Sequence, residues 1–141
     1  MSAASNYLEA KLLDHVLGEG TRNYATGNVY LALFKNNALT NLEAGTLTDE
    51  ISSSATAYTR QNVTFANATT VAGTTTSTTS ATVTWSTATA DWGTVTALAI
   101  MDSVTAGAGN VLFYGNLLTA KLIENGDTFQ ISSNNLTVTL A

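Results

Sequence analysis

The sequence predicts a mainly β fold, an antiparallel β-sandwich or jelly-roll-like barrel of about seven to eight strands with one N-terminal helix. Three observations lead there. Short β-branched and aromatic segments recur along the chain, separated by Gly, Asn and Asp turns. One N-terminal stretch alone has helical spacing. The stretch from Asp91 to Asp102 is apolar or Thr on both faces, as a central strand requires. At 141 residues the chain fits one domain, read as a single β unit over 1–141, and it can bury a core.

In chain order, residues 1–5 read as a loose polar arm. Asn6 and Glu9 resemble a capping box, and Leu8, Leu12, Leu13, Val16 and Leu17 follow at helical spacing up to Gly18 and Gly20. A helix over 7–17 results, whose apolar stripe must pack on the sheet or on another subunit. The β-sandwich spans 28–141. Its first strand runs from Asn28 to Phe34 with Val29, Leu31 and Leu33 on one face and Tyr30, Ala32 and Phe34 on the other. One face belongs in the core, the other under the helix or in an interface. The segment 35–54 shows no period, and a loop that long either contacts partners or conceals an element.

A strand over Tyr58–Phe65 comes next. Residues 66–80 are rich in Thr, Ser and Ala and read as an exposed loop or hairpin. Ala81–Trp85 alternates. In the central strand, Val95, Ala97, Ala99 and Met101 share one face, and Thr94, Thr96, Leu98 and Ile100 the other. Gly107 and Gly109 mark a turn, and Val111–Tyr114 is the antiparallel partner. Lys121–Ile123 reads as a short edge strand. Gly126-Asp127 and Asn134-Asn135 are turns flanking Thr128–Ile131 and preceding Leu136–Leu140.

Composition restricts the function. Charged residues make up 11% of the chain, so its surface is built of Thr, Ser and Asn, which cost less to desolvate in contacts. That favours assembly with partners. The net charge of −5 and the scatter of Lys11, Arg22, Lys35, Arg60 and Lys121 argue against nucleic acid. Cysteine and proline are absent, so no disulfide is expected. There is no apolar run long enough for a membrane helix, and Glu9, Lys11 and Asp14 interrupt any signal-peptide core.

Nothing points to catalysis, and the chain is read as no enzyme. His15, the lone histidine, has no orienting partner in sight. Asp49-Glu50, Asp102 and Asp127 read as turn-capping carboxylates, without calcium-loop spacing. Gly107–Asn110 lacks the Lys and Ser/Thr of a P-loop. No metal and no cofactor are expected. Trp85, Trp92 and Tyr114 could form a sugar-stacking platform or be core anchors, and the alternation of Val83 and Trp85 supports the core.

Several segments together resemble a family of small structural proteins from tailed bacteriophages. They are Asn6–Glu9 with Leu12–Leu17, Val29–Phe34, Tyr58–Phe65, Ala88–Met101 around Asp91-Trp92-Gly93, Leu112–Gly115, and Gly126–Ile131 with Leu136–Leu140. The pattern spans nearly the whole chain, and the segment 35–54 departs from it. Members are labelled tail-fibre-like, and similar small β proteins decorate heads as cement proteins. The resemblance implies a virion component assembled in the host cytoplasm. The leading expectation is a capsid decoration protein on the capsid exterior, a homo-oligomer, namely a trimer, bridging the major capsid protein. The alternative is a tail-fibre or baseplate component contacting tail proteins or a host glycan. Neither nucleic acid nor membrane is an expected partner. Tyr7, Leu8, Leu12, Arg22, Lys35, Arg60 and Trp92 are the candidate interface residues.

Overall fold

A computed structural model describes residues 3–17, 27–36 and 38–140. The elements run β1 (Ala3–Ala4), α1 (Asn6–Leu17), β2 (Val29–Phe34), α2 (Leu39–Glu43), β3 (Gln61–Val63), β4 (Thr69–Val71) and β5 (Thr74–Thr78). Then come β6 (Val83–Thr84), β7 (Gly93–Met101), β8 (Val111–Ile123), β9 (Gln130–Ile131) and β10 (Thr137–Leu140). All pairings are antiparallel. The main sheet has the order β1-β8-β7-β2-β3, a second sheet the order β10-β5-β4, and β6 pairs with β9. The expectation of a mainly β, antiparallel fold with an N-terminal helix holds. The sheets stay open, so the architecture is a sandwich and not a barrel.

The central strand is where the sequence places it: β7 lies between β8 and β2. One face of the main sheet meets the two smaller sheets. Leu31, Leu33, Val95, Leu98 and Ile100 there join Val83, Trp85, Phe129 and Ile131 in the larger core. Ala32, Phe34, Ala97, Ala99 and Met101 on the other face pack with Ala38 and Leu42. The helix over that second face is therefore α2, the element hidden in 35–54, and not α1.

Alternation along β7 breaks at one point. Val95 falls in the same core as Leu98 and Ile100, and not with Ala97. The register shows why: Val95 faces Lys121 and Ala97 faces Asn116, so Leu117–Ala120 of β8 stand opposite Thr96 alone. Such a bulge moves the following side chains to the opposite face. Lys121–Ile123 consequently continues β8 beyond the bulge and is not a separate edge strand.

Other boundaries shift. The loose arm expected over 1–5 contains β1, with Ala3 opposite Tyr114 and Ala4 opposite Phe113. Ser5, and not Asn6, caps α1: its Oγ accepts from Leu8 N at 3.3 Å and donates to the Val111 carbonyl. The expected Gly18–Gly20 stop lies outside the described residues. Residues 66–80 form the β4–β5 hairpin, turned by Ala72 and Gly73, both at positive φ.

Candidate interaction surface

The charged residue expected at an interface, Arg60, is inside. The strand expected over Tyr58–Phe65 forms only as β3, so Arg60, with Tyr58, lies in the irregular stretch just before it, and both are buried. Its Nε and Nη2 donate to Glu50 Oε1 and Oε2 at 2.7 and 2.8 Å, and its Nη1 donates to the Ser103 and Ala108 carbonyls, each at 2.8 Å. Glu50 also accepts from Gly107 N at 2.7 Å and from the Tyr58 hydroxyl at 3.1 Å. Tyr58 Oη in turn accepts from Leu33 N at 2.9 Å. Every polar group at this buried pair has a partner, so the network fastens segment 35–54 to the 102–110 turn. Burial, then the Glu50 carboxylate, pushes the Tyr58 phenol far above its ordinary range.

Trp92 is also core. It packs edge-on to Tyr58 at 5.5 Å, and its Nε1 donates to the Thr56 carbonyl at 2.9 Å. Trp85 packs against Phe129 at 5.3 Å, and Tyr114 is buried with the α2 cluster. Burial pushes the Tyr114 phenol up, and the Glu43 and Glu9 carboxylates add to it. The three aromatic rings are thus core anchors, and the sugar-stacking platform is absent. Leu8 is the buried member of α1. Leu8, Arg60 and Trp92 therefore hold the fold and offer no outer surface. Tyr7 is half-buried against the core, Lys35 is half-buried, and Leu12 is exposed. Arg22 lies outside the described residues.

The carboxylates cap turns. Asp102 accepts from Asn110 N and Nδ2 at 2.6 and 2.8 Å, Asp91 from Asn125 N at 2.9 Å, and Asp127 from Glu124 N at 2.9 Å. Asp49 accepts from the amides of Asn36 and Asn41, which hold its carboxyl below the usual value. Among the described residues no three His, Asp or Glu side chains gather as a metal site. His15 is exposed on α1.

What the surface does offer is apolar. In α1 every residue from Glu9 to Leu17 is exposed, with Leu13 at 60% and Val16 and Leu17 at 72%. Leu12, Val16, Leu13 and Leu17 fall within an arc of about 140° at 3.6 residues per turn. The stripe seen in the sequence is real, but its own sheet covers only Leu8. Leu118, at the β8 bulge, is fully exposed.

Beside that bulge lies an open groove of about 480 Å³. Residues of β8 form one wall, the chain from Phe129 to Val138 the other, and Leu98 and Ile100 of β7 the floor. Both walls end a sheet: β10 is the edge of its own, and β1 covers β8 only at Phe113 and Tyr114. The sequence reading missed this groove, because residues 115–120 fall between two strands it treats as separate. The visible signal was Leu117-Leu118, an apolar pair after Gly115-Asn116 that falls in neither expected strand; Leu117 packs on the main core and Leu118 is exposed.

A comparison with curated proteins found no match. A family model described as Podophage GP4 fiber I protein gp80 matches residues 3–139. That match covers the core strands, α1 and the groove together. The chain therefore belongs to the Podophage GP4 fiber I protein gp80 family and is a phage virion structural protein of the tail-fibre-like kind.

Proposed function

We propose that the protein is a non-catalytic fibre subunit of a phage tail, acting by self-association and by contact with neighbouring tail proteins. The single observation that carries this is the fibre-family match over nearly the whole chain. The surface fits that role. Asp91, Asp102 and Asp127 cap turns, while large apolar side chains on α1 and β8 stay uncovered. Uncovered apolar surface of this kind marks contact sites. A homo-oligomer, such as the trimer expected from the sequence, covers it with no second kind of chain. The capsid decoration role expected from the sequence rests on no feature that the fibre role lacks, and it becomes an outcome of the test.

The test is gold labelling of the protein on intact virions by electron microscopy. Label confined to the tail supports the fibre subunit. Label in a regular lattice over the head overturns it and restores the decoration role.

A further inference from the structure

We infer that the groove beside β8 receives the α1 helix of a second copy of this chain. The helix supplies the first reason. It is 12 residues long, a length at which a helix is marginal in water without tertiary packing. Its own body holds only the first turn, through the Ser5 cap and Leu8, and Glu9–Leu17 is exposed throughout. The two outer turns need an apolar surface that the described residues do not give them.

The groove supplies the second reason. Its volume of about 480 Å³ lies among clefts that bury a ligand. Leu98, Ile100, Phe129 and Ile131 of its lining belong to the main core, so an occupant would extend that core. An amphipathic helix laid in an apolar groove is a recurrent recognition mode, read through anchors at i, i+1, i+4 and i+5 here: Leu12, Leu13, Val16 and Leu17.

Charge supplies the third reason. Among the described residues lining the groove, Lys121 is the one charged side chain. Described α1 carries Glu9 and Asp14 against Lys11, and Asp14 borders the apolar arc. A strand is the poorer occupant. Strand addition needs an even row of edge donors and acceptors, and the Leu117–Ala120 bulge interrupts that row.

Helix and groove are different surfaces, so the contact is heterologous. It closes into a ring or continues as a filament, according to the rotation between copies. The inference rests on the self-association part of the fibre reading and not on the position of the chain in the virion.

The chain has no cysteine, so introduced thiols react alone. Val16→Cys and Thr119→Cys chains of different mass are purified separately, mixed, and treated with a short bismaleimide. Thr119 is an exposed residue of the groove wall. The expected result is a mixed covalent dimer, with at least tenfold less product from either variant alone. Adding Lys121→Glu to the Thr119→Cys chain lowers the yield several-fold, and Asp14→Lys on the helix partner restores it. A product from Val16→Cys alone would mean helix against helix, and one from Thr119→Cys alone groove against groove; either overturns the inference. So does a monomer by light scattering with no cross-link. Tail label on virions combined with no mixed dimer would sink this inference and leave the fibre reading standing.

Discussion

Removing the Arg60 guanidinium is the sharpest test of how this fold is held. In Arg60→Met the Glu50 carboxylate, whose side chain is 4% exposed, loses its cation and both short hydrogen bonds from it. Breaking a buried ion pair by deleting one partner costs about 3–5 kcal/mol, because a charge stays buried without compensation. A domain of ordinary stability has about 5–15 kcal/mol in total, so the variant approaches unfolding. In Glu50→Met with Arg60→Met no buried charge remains. Gly107 N, the Tyr58 hydroxyl and the Ser103 and Ala108 carbonyls then lose a partner each, while Tyr58 Oη still accepts from Leu33 N. Gly107 and Ala108 lie at the surface, where water replaces part of the loss. The double variant is therefore expected within about 1–2 kcal/mol of the parent, recovering at least about 2 kcal/mol of the single-site loss. Urea unfolding followed by tryptophan fluorescence reads this, because Trp92 packs on Tyr58 beside the pair. A single-site cost under about 1 kcal/mol would refute the reasoning, as would a double variant no better than Arg60→Met.

Three further outcomes are expected. Gly109→Ala destabilises by at least about 2 kcal/mol in the same urea assay, since a Cβ at φ +80° would lie 2.4 Å from Ser103 Cβ and 2.6 Å from Asp102 Oδ1; an unchanged midpoint contradicts it. Ala72→Gly raises stability by about 0.5–1 kcal/mol, because Ala72 sits at φ 49° in the β4–β5 turn where glycine is unstrained. A fall in the midpoint would show that unfolded-state entropy outweighs the relieved strain. Tyr58 gives a pH dependence: its phenol is raised when folded, while the unfolded group ionises near 10.0. Its contribution is whole below that pH and declines as pH rises above it, because the unfolded state then releases the proton that the native state keeps. Stability measured from pH 8 to 11 should fall at the alkaline end, and Tyr58→Phe should flatten that slope while costing about 1–3 kcal/mol at neutral pH through the orphaned Leu33 N–H.

How legible the fold was in the sequence depends on how local each determinant is. β2 and β7 announce themselves because their own side chains alternate between two apolar faces. α1 shows through a 3.6-residue period over three turns. α2 did not, since Leu39–Glu43 is too short for a period and no side chain caps its start. The face change at Val95 was invisible because its cause lies on another strand, in the four residues of β8 that stand opposite Thr96 alone. Arg60 misled for a similar reason. A cation in a strand reads as surface until its acceptor is known, and Glu50 is brought to it only by the fold. The family character was carried by strand cores and turns, which the sequence displays. The groove was not, because it arises where two sheets end side by side.

The bulge at Leu117–Ala120 has a consequence for a protein made in many copies. A straight β8 would present a long free edge to every identical chain around it, and edges of that kind stack into unlimited sheets. Four residues buckled out of line deny such stacking a template. The same irregularity leaves beside β8 an apolar cleft in place of a straight edge.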